Sequence, residues 1–349
     1  MEQPNGQWGW GVSQFKRVAF AGVLAGAVVF GSGAAPIAGA QPADPEAVSA
    51  PVAGYRPPDV PTRIGPEQPD HLAAAVYQKT HKNAAPAGTN NFDCKPTAEH
   101  PRPVVLAHGT DSSAYSDWAA IGPQVSALGF CVFALNYGGA PGKDTWGTED
   151  IAVSAYQFGA FVDQVLAATN ATQVDIVGFS QGANVTRYYV NKLDGAPKVG
   201  KWIGLASPSY GGVMYGLVPV AQSIPGALQA FARVTSLAAV QQVQGSPLMA
   251  ELNAGGDTVP GPHYVTIGSR VDEMIQPFSN IALHGPNVEN IALQDECAVD
   301  LTGHFHMVYD PFVQELLLRT LDPVHAPAPT CRDVPLGTGI PEVIIAGHS

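Results

Sequence analysis

Positive charge and cysteine are what this 349-residue chain has least of: 17 lysines and arginines stand against 29 acids, the net charge is −12, and there are four cysteines. A nucleic-acid surface needs a basic field to neutralise phosphates, so nucleic acid is excluded as a partner. Charged residues of both signs make up only 13%, against 46% hydrophobic ones. Such a chain can bury enough apolar surface to offset its ordering entropy, which argues against global disorder. No internal repeat is present either. The 38 glycines and 31 prolines follow no fixed period, which removes collagen-like and repeat architectures. No Cys-x-x-Cys or Cys/His spacing points to zinc, and no metal or organic cofactor is implied.

What is there begins with an address label. Lys16 and Arg17 precede an apolar run from Val18 to Phe30, and small residues follow, ending Ala38-Gly39-Ala40. This is the order of a secretory signal peptide over residues 1–40, with cleavage expected after Ala40. The run is shorter than the ~20 residues of a bilayer-spanning helix, although an uncleaved N-terminal anchor stays as the alternative. The protein is therefore expected outside the cytoplasm, with retention at the cell envelope left open. In such an oxidising compartment cysteines pair. Cys94, Cys131, Cys297 and Cys331 admit three pairings. Chain order favours Cys94–Cys131 and Cys297–Cys331, each closing a loop of moderate length.

Twelve prolines fall between Gln41 and Pro103. Residues 41–90 are accordingly read as a linker or surface strap, largely outside the core. Strands and helices then alternate. Short apolar runs at 103–107, 130–135 and 174–177 read as buried strands, with further strands at 202–206 and 264–269 and a weaker one at 290–294. Ile151 to Ala168 carries apolar residues at helical spacing behind a Thr148-Glu149-Asp150 cap. A second helix is expected from Ala183 to Leu193, stopping at Gly195. A last one opens at Asp310-Pro311, with Asp as N-cap and Pro at the first helical position. The alternation predicts an α/β fold with a mostly parallel sheet covered on both faces.

Gly178-Phe-Ser-Gln-Gly182 matches G-x-S-x-G and sits between an apolar strand and a helix, the setting of a nucleophile elbow. Alone the pentapeptide is a weak signal, and an ordinary glycine turn is its bland reading. The context gives the glycines a physical task, because the bend is strained and side chains two positions either side of Ser180 would clash. Ser180 would then stand at a helix N-terminus, where backbone N–H groups favour developing negative charge.

Val174 to Val190, together with Val104-Val-Leu-Ala-His-Gly-Thr110 upstream, resembles the secreted bacterial lipases of class 2 in the α/β-hydrolase superfamily. The stretch from Asn91-Phe-Asp-Cys-Lys-Pro96 to Asn136-Tyr-Gly138 resembles the N-terminal half of that family. The likeness covers about residues 91–331, the expected catalytic domain, and leaves 332–349 as a C-terminal tail. It implies a serine nucleophile with a downstream acid and histidine, in the chain order of that fold.

Asp272 lies just beyond a strand end, in a segment similar to the family's S-x-x-D-E before a proline. Glu273 is adjacent but expected to point elsewhere, and Asp257 competes, though it reads as a turn aspartate. In Gly303-His-Phe-His306 the resemblance selects His304, by its spacing to Asp310-Pro311, over His306. His284 and His325 read as surface or loop residues. The residue after the nucleophile, Gln181, supplies one oxyanion N–H. The resemblance makes Thr110 N–H the second and leaves the Thr110 hydroxyl as a candidate third donor. His108 is positional.

Between Lys201 and Glu251 the only charge is Arg233. Residues 208–250 are therefore a lid or acyl-binding wall candidate, with plain buried core as the alternative. The function expected is a secreted lipase acting on a lipid or other ester substrate, with a lipid interface as candidate partner and oligomeric state open. A carboxylesterase, a polyester hydrolase or an acyltransferase would share the same residues. A non-catalytic binding protein on the same scaffold would need a broken triad.

Overall fold

Val104 and Leu106 face one way and Val105 and Ala107 the other, and all four are fully buried. A strand apolar on both faces belongs in the middle of a sheet with helices on either side, and the computed structural model, which describes residues 53–212 and 236–348, puts it there. The elements in chain order are β1 (Arg63–Ile64), α1 (His71–Thr80), β2 (Ala84–Ala85), β3 (Val104–Ala107), α2 (Ala114–Trp118), α3 (Ile121–Ala127), β4 (Val132–Leu135), α4 (Ile151–Thr169), β5 (Val174–Phe179), α5 (Gln181–Lys192), β6 (Val199–Leu205), α6 (Leu237–Gln241), α7 (Pro247–Asn253), β7 (His263–Gly268), β8 (Val288–Ala292), α8 (Leu293–Glu296), α9 (Pro311–Leu321) and α10 (Ile340–His348).

Six of the strands form one sheet in the order β4-β3-β5-β6-β7-β8, every pair parallel. On one face Val104, Leu106 and Val177 pack against Trp118, Ile121, Val313 and Leu317 of α2, α3 and α9. On the other face Val105, Phe133 and Ile176 meet Phe158, Phe161 and Val162 of α4 and Val185 of α5. By length and composition α4 could cross a bilayer, yet its apolar side is spent on this core. Its N-cap matches the sequence reading, with Asp150 accepting from Val153 N–H at 2.9 Å; at the other end Asn170 closes it in the left-handed conformation at φ +58°. Asp310 caps α9 in the same way, with Pro311 in its first turn.

Some expectations need correction. The segment read as a strap contains α1 and the two-stranded β1–β2 sheet, since Asp70 accepts from Ala73 N–H and starts a helix that the surrounding prolines conceal. The expected tail holds α10. The strand expected at 290–294 lies at Val288–Ala292 and gives way to α8. The expected signal peptide, residues 1–40, and positions 213–235 of the lid candidate lie outside the described residues. Two disulfides, Cys94–Cys131 and Cys297–Cys331, have Cα–Cα separations of 5.8 and 5.3 Å. They fit the extracellular setting usual for such pairs.

Candidate active site

Ser180 sits between β5 and α5 at φ +51°, ψ −119°, a conformation that non-glycine residues adopt only when their surroundings enforce it. Its N–H donates to Leu205 O at the end of β6 at 2.9 Å, and Ala206 N–H donates to Ile267 O of β7 at 2.8 Å. The flanking glycines are needed. A Cβ on Gly178 would lie 2.6 Å from Ala183 N, and one on Gly182 would run into the carbonyl of Ala107. The bend is therefore wedged against β3 and lifts the serine above the sheet. The helix begins at Gln181, two residues earlier than the sequence suggests, because the strained residue is itself the cap.

His304 Nε2 lies 3.0 Å from Ser180 Oγ, and His304 Nδ1 lies 2.9 Å from Asp272 Oδ2. Asp272 follows β7 and is wholly buried. Its other oxygen, Oδ1, accepts from the N–H groups of Met274 and Ile275, both at 2.7 Å. A carboxylate can only accept here, so Nδ1 carries the proton and Nε2 turns its lone pair to the serine. Burial alone would lower the His304 pKa. The charge and hydrogen bond of Asp272, joined by Glu273 and Asp117, outweigh that and hold it above its ordinary value of 6.5. Glu273 does not reach the ring and instead accepts from the His304 backbone N–H.

The competing residues are elsewhere. His306 Nε2 lies 3.8 Å from Asp310 Oδ2. Asp257 is more than a turn residue: it is buried, accepts from Tyr210 OH and from His284 N–H, and sits near the buried Arg187. His108 is fully buried and stacked on Tyr137, and burial lowers its pKa to about 4, so it is a neutral, positional ring.

Beside the serine, Thr110 Oγ1 donates to Gln181 Oε1 at 2.6 Å, which occupies the hydroxyl considered as a third oxyanion donor. Two residues not foreseen in the sequence hold this corner. Asp117 of α2 accepts from Gly109 N–H at 2.7 Å and Ser112 Oγ at 2.6 Å, fixing the loop that carries Thr110. Gln242 Nε2 lies 3.2 Å from Thr110 Oγ1 and 3.4 Å from Gln181 Oε1. Neither belongs to a recognisable motif. The one available hint is the single acid, Asp117, in a short Ser-capped helix.

Ser180 opens on a cavity of about 850 Å³ with Ile275, Phe305, Val308 and Val343 among its apolar walls; the exposed Lys82–Asp144 ion pair also borders it. Of the lid candidate, the described end places Ala238 of α6 in the core, as plain packing would, while Leu237 faces outward.

A model of the lipase (class 2) family matches residues 101–316. Among solved structures the chain is similar in fold to lipase B of Aspergillus fumigatus, with 21% identity and a TM-score of 0.54 over 70% of this chain and 56% of that one. Lipase BlEst2 of Bacillus licheniformis in its mature form is 18% identical, with a TM-score of 0.48 over 65% of this chain and 94% of that one. The chain thus spans little more than half the length of the fungal lipase. No curated protein matches it. With a family match over most of its length and a parallel sheet of hydrolase type, the chain belongs to the class 2 lipase family of α/β-hydrolases.

Proposed function

We propose that the chain is a secreted serine ester hydrolase, a lipase that cleaves acylglycerol esters through an acyl-enzyme. The observation that carries this reading is the unbroken line from Asp272 through His304 to Ser180, ending on a hydroxyl that opens into a largely apolar cavity. His304 Nε2 takes the Ser180 proton as Oγ attacks the ester carbonyl, and Asp272 holds the ring in the required tautomer and stabilises the imidazolium. The backbone N–H groups of Thr110 and Gln181 receive the oxyanion. His304 then returns its proton to the leaving alcohol. In the second half it activates water, which attacks the acyl-enzyme and frees the acid.

Export through residues 1–40, with cleavage after Ala40, completes the reading, and the two disulfides fit it. Residues 208–250 act as lid or acyl wall, in keeping with their shortage of charge. The test is a rate series over p-nitrophenyl esters of increasing chain length with wild type and Ser180→Ala. An optimum at long chains, with a jump in rate above the substrate's solubility limit, supports a lipase. A short-chain optimum without the jump makes it a carboxylesterase. Residual activity in the alanine variant moves the nucleophile elsewhere.

A further inference from the structure

His100, Asp322 and His325 meet at the amino end of the sheet's strands, away from the nucleophile. His100 precedes β3 and Asp322 closes α9, whereas Ser180 stands past the opposite, carboxyl end of β5, which runs parallel to β3. His100 Nε2 and His325 Nδ1 each lie 2.9 Å from Asp322 Oδ2. The three ligand atoms fall within 4.8 Å of one another. His100 and Asp322 are buried, and His325 is half exposed. The second ring nitrogen of His325, Nε2, lies 2.8 Å from Glu99 Oε1.

A doubly protonated His325 would donate to both Glu99 and Asp322, but with the ring neutral hydrogen bonds alone leave this arrangement incomplete. A neutral imidazole has one N–H. With Nε2–H donated to Glu99, Nδ1 of His325 turns a lone pair toward a carboxylate that offers only lone pairs. A cation placed between them satisfies both, and an outer carboxylate holding the far nitrogen is how metal-ligating histidines are commonly oriented. Asp322 is fixed in turn by the N–H groups of Val324 and His325, at 3.1 and 2.9 Å.

We propose that His100 Nε2, Asp322 and His325 Nδ1 form a zinc site, with water as fourth ligand on the exposed side of His325. Two imidazoles and a carboxylate suit Zn²⁺ better than calcium or magnesium, which take oxygen ligands. Zinc bonds of ~2.0–2.2 Å at tetrahedral angles set ligand atoms about 3.4 Å apart, so the two 2.9 Å pairs open by about 0.5 Å. The ion pins the end of α9 to the approach to β3, across the sheet from the reacting groups. It therefore stabilises the fold and takes no part in turnover. Nothing in the sequence announces it, since 222 residues separate His100 from Asp322.

The experiment uses the full chain without a histidine tag, stripped by chelator, dialysed and titrated with Zn²⁺ in a calorimeter. Thermal unfolding with and without zinc and the visible spectrum of the Co²⁺ form complete it. The expected result is one ion per chain, tetrahedral-type Co²⁺ bands and an unfolding midpoint raised by several degrees at saturating zinc. Glu99→Gln weakens the zinc Kd about 10- to 100-fold, and His325→Ala abolishes saturable binding while the circular dichroism stays that of the folded chain. Ester hydrolysis at room temperature is the same with and without zinc. Absence of saturable binding by wild type, or binding that survives both His325→Ala and His100→Ala, overturns the site. A requirement of turnover for zinc overturns its structural role. Should His100→Ala not fold, the half-exposed His325 carries the comparison.

Discussion

Glu273 accepts a hydrogen bond from the backbone N–H of His304 while its chain neighbour Asp272 accepts from the ring. Two successive acids thus grip the same residue at two points, one setting its place and the other its tautomer.

This grip has a consequence for pH dependence. Only a neutral imidazole can take the serine proton, so kcat/KM falls as the medium becomes acidic enough to protonate His304. Because the His304 pKa is raised, the midpoint of that fall lies above 6.5. Glu273→Gln removes one of the charges that raise it, so the midpoint moves to lower pH while the plateau keeps its height within severalfold. A pH–rate profile on a short soluble ester checks this, and an unmoved midpoint counts against it.

Asp272→Asn is expected to keep the fold but lower kcat by ~10⁴, because an amide in place of the carboxylate stabilises the wrong tautomer. The acid limb should also shift downward with loss of the main charge raising His304. Steady-state kinetics beside a circular dichroism spectrum separates this from misfolding.

Thr110→Val probes the oxyanion corner. The hydroxyl donates to Gln181 Oε1 at 2.6 Å, so its loss loosens a neighbour and leaves the two backbone donors in place. The expected fall in kcat is smaller than the ~10²–10³ of a lost oxyanion donor. A larger fall shows that the hydroxyl swings to the oxyanion during turnover.

Gly182→Ala would drive a methyl group into the Ala107 carbonyl. Neither β3 nor the elbow can yield without breaking the sheet, so the cost is more than ~2 kcal/mol or failure to fold. Guanidinium unfolding against wild type measures it.

Replacing Cys297 and Cys331 together by alanine opens a loop with a sequence separation of 34. Chain entropy sets the loss at ~3–4 kcal/mol of unfolding free energy. The same denaturant titration reads it, and an unchanged midpoint means the bridge contributes nothing.

Legibility in the sequence followed the physics of each element. Val104–Ala107 is plain because a central parallel strand must be apolar on both faces, and Val174–Val177 is plain from the valines and isoleucine around Asp175, although the strand runs on to Phe179. The elbow was plain because its strain demands glycine at two fixed offsets. Helix α1 was hidden by the prolines around it, and α2 and α3 are too short for helical periodicity to emerge. Asp117 acts on the loop at Gly109 and Thr110 from within α2, and Gln242 from the residue that closes α6, neither with a motif of its own. Such partnerships exist only after folding, so spacing along the chain does not betray them. The same holds for His100 and Asp322.

The amide of Ser180 is hooked to the end of β6, and the next residue of that end to β7, from whose tip Asp272 departs. The attacking atom and orienting acid of the proposed mechanism are thus indexed to each other by main-chain rungs that no side-chain replacement can edit. The walls at Ile275, Phe305 and Val343 enjoy no such protection. On the proposed reading, selection can therefore recut the chamber for a different acyl tail while the proton relay keeps its alignment, which makes this scaffold a ready starting point for altering selectivity through side chains alone.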